Sequence, residues 1–249
     1  MKILPKNNVY NNKFLVFGHR GVPELAPENT LESFKRAIEL KYDGIELDVM
    51  LTKDEKLIVH HDKDIKINSK QKPVFELKYS DLLKNLPNKP PKLDEVLSSL
   101  GHQTKINIEI KDQGKGGARV VKEVIDSLKK FNLIDSIVIS CFNPQFIRYV
   151  KKIDDRVATA WIWGDKNFYF FNYWKIFLNY FNPQAIHIKH QLINSQLISK
   201  IQSQNIKVLA YTVNQKSILL NMISQRIDGV FTDSPSILKL AKNQGFQSY

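Results

Sequence analysis

Nine short apolar runs punctuate the chain: Phe14–Gly18, Gly44–Leu51, Leu57–His61, Ile106–Lys111, Ile137–Phe142, Val157–Trp163, Ala185–Ile188, Lys207–Val213 and Gly229–Thr232. They are rich in Val and Ile and are bounded by polar turn residues, which predicts strands. Between most of them, apolar residues recur every three or four positions. That spacing predicts helices over Thr30–Leu40, Leu93–Leu100, Ala118–Phe131, Pro144–Lys152, Asn194–Gln202, Ser217–Ser224 and Ser236–Asn243. The first of these carries a start signal, Asn29 as cap with Glu32 three residues on. Strand–helix alternation of this kind predicts a parallel α/β sheet. Nine strands is one too many for an eightfold barrel, but only Thr52–Lys56 separates the second run from the third. A parallel crossover needs a dozen or more residues, so Leu57–His61 is expected to fold back as an antiparallel hairpin. Eight strands remain, and the expected fold is a (β/α)₈ TIM barrel. A doubly wound open sheet is the alternative, but no G-x-G-x-x-G turn follows the first strand.

Length and composition fit this reading. The 249 residues suit one barrel domain spanning 1–249. One cysteine, Cys141, excludes an internal disulfide and a Cys-based zinc site. Met1–Lys13 is polar and no run of about 18 apolar residues occurs, so neither a signal peptide nor a membrane span is expected, and the cytoplasm is the expected location. Net charge is +12, from 37 basic and 25 acidic residues. This favours anionic partners. The lysines are scattered rather than blocked and no nucleic-acid-binding motif appears, so nucleic acid is not an expected partner and most lysines read as solvated surface.

In a barrel of this type the active site forms at the carboxyl ends of the strands. His19 and Arg20 end the first strand. Glu46 and Asp48 lie two apart on the second, which points both carboxylates to one face while Ile45, Leu47 and Val49 take the other. Glu109 and Lys111 repeat the arrangement in Asn107-Ile108-Glu109-Ile110-Lys111. Charged residues inside strands are rarely buried without a partner. Three carboxylates make a hard oxygen site for Mg²⁺ or Ca²⁺; zinc is disfavoured, since clustered Cys or His ligands are missing. Arg20 and Lys111 supply cations for a phosphate, and His19 and His61 an acid–base pair. A metal, two cations and two imidazoles around a phosphate describe phosphodiester hydrolysis.

The order of short motifs strengthens this. His19-Arg20-Gly21, Pro27-Glu28-Asn29-Thr30, Glu46-Leu47-Asp48-Val49, Thr52-Lys53-Asp54, His61-Asp62, Pro91–Leu97, Glu109-Ile110-Lys111, Thr212-Val213-Asn214 and Asp228–Pro235 together resemble the signature of the glycerophosphodiester phosphodiesterase family, over about residues 14 to 240. The resemblance implies a metal-dependent barrel that hydrolyses glycerophosphodiesters to sn-glycerol 3-phosphate and an alcohol. It implies Glu46, Asp48 and Glu109 as metal ligands, His19 and His61 as the catalytic pair, and Arg20 and Lys111 as phosphate-binding residues. It also implies a small insertion over about 62–90, with Pro73 to Leu83 as its ordered part. Tyr211 stands where the family usually has Trp, keeping an aromatic wall beside Phe142 in the substrate pocket. Glu55 stands where its turn usually has Gly.

Other residues carry plainer readings. His60, His102, His187 and His190 read as structural or exposed, Glu28 as positioning the first loop, and Cys141 as a buried or pocket-lining thiol. The segment 167–181 is dense in aromatics. It is either a lid or membrane-interface patch beside the mouth or a helix buried against the barrel. In the first case the chain is a lysophospholipase D peripheral to the membrane. A non-catalytic phosphate-ester binder is the remaining alternative.

Overall fold

The computed structural model describes residues 8–10, 14–114, 117–165 and 174–244. Eight parallel strands close a barrel: β1 (Leu15–Gly18), β2 (Gly44–Leu51), β6 (Lys105–Ile110), β7 (Ile137–Cys141), β8 (Ala158–Trp163), β9 (Ala185–Lys189), β10 (Lys207–Tyr211) and β11 (Gly229–Thr232). Sequence neighbours pair in turn, and β1 closes the ring by pairing with both β2 and β11. β3 (Leu57–Val59) lies antiparallel on β2, Val49 opposite Val59, as the five-residue connection requires. The fold is the expected (β/α)₈ TIM barrel.

The strands are buried on both faces, apolar on the outer one and, on β2, β6 and β9, partly polar on the inner one. Residues such as Ile45, Leu47, Ile106 and Ile108 pack outward against the helices, and Leu15, Phe17, Val138, Leu209 and Phe231 fill the barrel axis. The helices bury one stripe each. On the helix Gly117–Lys130 that stripe is Val120, Val121, Val124, Ile125 and Leu128, and each such side chain contributes about 2 kcal/mol by leaving water. Val9 and Tyr10 close the amino end of the barrel, with the Tyr10 hydroxyl 3.3 Å from His187 Nε2.

Two expectations change in detail, the helix cap and the extent of the insertion, and two open points, Glu55 and His187, are settled. The cap of α1 (Leu31–Glu39) is Thr30, whose side chain accepts from the Ser33 amide. Asn29 takes φ +56 and turns its amide elsewhere. The ordered insertion is larger than Pro73 to Leu83. It comprises a hairpin of β4 (Asp64–Ile67) and β5 (Lys70–Pro73), then α2 (Tyr79–Asn85), all packed over Met50 and Ile58. Glu55 adopts the left-handed conformation, φ +62, in the turn where glycine would be the easy choice. His187, read as structural or exposed, is buried in the barrel interior with its ring 4.7 Å from Phe231, and burial alone lowers its pKa to about 3.

The described part of the aromatic segment, the helix Trp174–Phe181, lies against the barrel. Leu178 and Phe181 are buried, and Phe177 and Phe181 meet the Trp161 ring, while Ile176 and Tyr180 stay exposed. The rest of the segment, 167–173, is outside the described residues.

Candidate active site

The carboxyl ends of β1, β2 and β6 converge. Glu46 and Asp48 on β2 and Glu109 on β6 bring one carboxylate oxygen each within 4.8 Å of one another. Register explains this: Asp48 pairs with Glu109 across the β2–β6 ladder, and inward side chains on neighbouring strands then meet. Burial and the charge of Asp48 push both Glu46 and Glu109 above the usual carboxylate range. Asp48 goes the other way. Burial opposes it, but Lys111 and Arg20 hold it below that range.

Lys111 Nζ lies 2.8 Å from Glu109 Oε1 and 3.2 Å from Asp48 Oδ1. Arg20 Nε lies 3.3 Å from Asp48 Oδ2, and its Nη1 donates to both oxygens of Glu28 at 3.0 Å. Glu28 therefore steers the guanidinium rather than only shaping the loop. Arg20 itself takes φ +55, which turns its backbone N–H onto Glu46 Oε2 at 2.9 Å. A left-handed non-glycine residue costs about 1–3 kcal/mol and persists where the surroundings enforce it. Gly21 follows at φ +92, and a Cβ there would run into the Ser33 side chain. The pair Arg20-Gly21 is thus a turn that aims both an amide and a guanidinium at the carboxylates.

Sequence reasoning missed two supporting residues. Asn29 Nδ2 donates to Asp48 Oδ2 at 2.9 Å, and its Oδ1 accepts from the Asp48 amide at 3.2 Å. Asp233 Oδ1 lies 2.8 Å from His19 Nδ1, and its other oxygen accepts from Asn214 Nδ2 at 2.6 Å. Continuing the β1–β11 register past Phe17↔Phe231 and Gly18↔Thr232 sets His19 opposite Asp233, so the signal lies in the pairing rather than in either segment. Burial pulls the His19 pKa down, but the Asp233 hydrogen bond and the Glu46 charge outweigh it and the net shift is upward. Asp233→Asn is therefore expected to move the limb of the pH–rate profile that reports His19 to lower pH. It should also cut kcat by about 10-fold, with KM little changed. An unmoved profile would remove Asp233 from the imidazole's support.

His61 sits just past β3, where the His60 amide donates to the Asp48 carbonyl. Its Nδ1 lies 2.9 Å from Asp62 Oδ1. It stands near enough to act electrostatically on Asp48 and Glu109, a downward pull that burial and Asp48 outweigh at Glu109. His60 is half-buried and His102 is exposed on the Phe131 carbonyl. Cys141 is fully buried, and burial raises its thiol pKa, so it is not poised as a nucleophile.

The mouth divides in two. A recess of about 30 Å³ lies among His19, Glu46, Asn107, Glu109, His187 and Tyr211. A groove of about 500 Å³ opens beside it, lined by Lys63, Lys111, Phe142, Asp165, Lys189 and Tyr211. The Phe142 and Tyr211 rings meet edge to face at 6.4 Å, and the Tyr211 hydroxyl donates to the Trp163 carbonyl.

Residues 19–237 match the model of the glycerophosphoryl diester phosphodiesterase family. The chain belongs to this family. A glycerophosphodiester phosphodiesterase from Caldanaerobacter subterraneus subsp. tengcongensis is 31% identical over 240 residues, covering 91% of this chain and 96% of that one. A solved glycerophosphodiester phosphodiesterase from Thermotoga maritima is 27% identical with a TM-score of 0.77, covering 91% and 98% of the two chains. A phosphodiesterase from Oleispira antarctica, solved with its product sn-glycerol-3-phosphate, shares the fold with a TM-score of 0.81 at 24% identity, covering 94% and 99%. Family members are enzymes, and the acidic cluster seen here could hold a metal ion. Among the described residues no helix is long and apolar enough to cross a membrane.

Proposed function

We propose that this chain hydrolyses glycerophosphodiesters to sn-glycerol 3-phosphate and an alcohol, in glycerophospholipid turnover, with a divalent cation of the Mg²⁺ or Ca²⁺ class held by Glu46, Asp48 and Glu109. The observation that carries this reading is the cluster itself, three carboxylates within 4.8 Å at the floor of the mouth. The donor set fits such a cation. All three groups are oxygen donors, and two of them are pushed up in pKa by burial and by the charge of Asp48, a penalty that a bound divalent ion relieves. When bound, the cation supplies Lewis-acid polarisation of a phosphoryl oxygen.

The chain's own residues do the rest. Arg20 and Lys111 border the carboxylates and offer N–H donors to the phosphate. His19, held at Nδ1 by Asp233, keeps Nε2 for the reacting atoms in this reading, and His61, held at Nδ1 by Asp62 just past β3, keeps its own. One imidazole takes the proton from the attacking oxygen, whether of water or of the neighbouring glycerol hydroxyl. The other returns a proton to the departing alkoxide. The alcohol lies along the Phe142–Tyr211 wall of the groove.

The test is which bond breaks. With glycerophosphocholine as substrate, ³¹P NMR is expected to show sn-glycerol 3-phosphate growing in with free choline. Phosphocholine and glycerol as products, or no turnover by folded protein with Mg²⁺ and with Ca²⁺, would overturn the assignment.

A further inference from the structure

The insertion carries charge that the catalytic cluster does not use. Residues 62–92 hold eight lysines against four carboxylates. The hairpin is the most open part. Lys66, Lys70 and Lys72 are all exposed, and no acidic residue occurs between Ile65 and Phe75. Among the described residues no carboxylate forms an ion pair with any of these three lysines. The turn between β4 and β5 is only Asn68-Ser69, both at positive φ (49° and 64°), the tight connection that suits strand twist. Ile65 and Val74 are buried beneath it against Met50, Ile58 and Leu82. The three lysines therefore ride on an anchored hairpin, not on a loose loop, with Lys70 and Lys72 on one face of the ribbon and Lys66 on the other, so its two arms present cations to both sides.

That hairpin stands at the mouth, because Lys63, the residue just before β4, lines the same groove as Lys111, Phe142 and Tyr211. Large apolar side chains are exposed at the same end of the barrel. Phe75, two residues after β5, is 45% exposed, Leu25 in the loop after β1 is 57% exposed, and Phe142 in the loop after β7 is 40% exposed. Loops that follow parallel barrel strands lie at the carboxyl-end face, the face of the mouth. Lysines alone would read as a solvated surface. Lysines and exposed Phe and Leu at one end of the barrel match the chemistry of a membrane interface, with cations for the headgroups and apolar tips for the acyl boundary.

We propose that the Lys66–Lys70–Lys72 hairpin, with Phe75 and Leu25, docks this chain on an anionic lipid surface with the mouth toward the lipid. This surface is separate from the catalytic cluster, and the docking does not depend on the proposed hydrolysis. A nucleic acid is the competing polyanion, and the exposed apolar side chains at the mouth favour lipid.

The experiment is co-sedimentation of the full chain with phosphatidylcholine vesicles, with and without phosphatidylglycerol, at low and high salt. The wild type is expected to bind only the phosphatidylglycerol-containing vesicles, and less so at high salt. Lys66, Lys70 and Lys72 changed together to Gln should weaken that binding on the order of 100-fold, and Phe75→Ser should weaken it further. Release of glycerol 3-phosphate from soluble glycerophosphocholine should be unchanged in these variants, and their melting curves should match the wild type. Absence of wild-type binding to anionic vesicles at low salt, wild-type-like binding by the triple variant, or tighter binding to an oligonucleotide than to vesicles would each overturn the proposal.

Discussion

Replacing His19 by Ala is expected to lower kcat for glycerophosphodiester hydrolysis by about 10³-fold while leaving the fold intact. General acid–base catalysis by a positioned imidazole contributes about 10²–10⁴-fold, and this imidazole is positioned. Its Nδ1 is bound to Asp233, whose second oxygen is fixed by Asn214. Losing the ring costs little stability, because Asp233 keeps Asn214 as donor and the His19 side chain is not fully enclosed. A diester with a p-nitrophenol leaving group separates the two roles. That group departs without a proton, so it restores most of the rate if His19 is the acid and little if it is the base. A rate within tenfold of wild type on glycerophosphocholine would take His19 out of the chemistry.

Asp48→Asn is expected to fail in two ways at once, with activity down by about 10³-fold or more and stability down by about 3 kcal/mol. Asp48 is the hub of the site. Arg20, Lys111 and Asn29 all reach its oxygens, at 3.3, 3.2 and 2.9 Å, and it is 2% exposed. Removing its charge leaves two cations partly buried without their shared partner, and breaking such a group is far costlier than never having built it. The sign follows from its pKa. Opposite charges lower the Asp48 carboxyl in the folded state, so its contribution is present at neutral pH and is lost as pH falls through the folded pKa. Glu46→Gln should behave oppositely in stability. Burial and the charge of Asp48 raise the Glu46 pKa, so its charge is held at a cost and an amide is expected to cost little stability in the metal-free protein. Thermal melts of the two variants, paired with Mn²⁺ titration by calorimetry, check both claims. Both variants should lose affinity for the cation, but only Asp48→Asn should melt earlier. Equal melting losses would contradict the division of roles.

Much of this site was legible in the sequence because its signals are local. The two-residue spacing of Glu46 and Asp48 and of Glu109 and Lys111 fixes a common face whatever the rest of the chain does. The five-residue link at Thr52–Lys56 could only be a hairpin. What was not legible depends on long-range pairing or on very short elements. Asp233 supports His19 only because β11 closes the barrel on β1. Asn29 looked like a helix cap by composition, yet the turn at φ +56 turns its amide onto Asp48. The hairpin β4–β5 has four-residue strands with only Ile65 and Ile67 as apolar markers in the first, too few to stand out from a polar loop. His187 gave no local sign of its place, since a single histidine in an apolar strand fits an inward or an outward position equally until the barrel is closed.

Everything proposed for this site turns on a divalent cation held by the Glu46–Asp48–Glu109 cluster, on which diester hydrolysis would depend. The most direct measurement is the rate of glycerol 3-phosphate release from glycerophosphocholine by protein stripped with EDTA, then resupplied with Mg²⁺ or Ca²⁺. The stripped protein is expected to release none, to recover on adding one of the two cations, and not to recover as the Glu109→Gln variant at the cation concentration that restores the wild type. Release at the full rate from the stripped wild type would contradict that dependence.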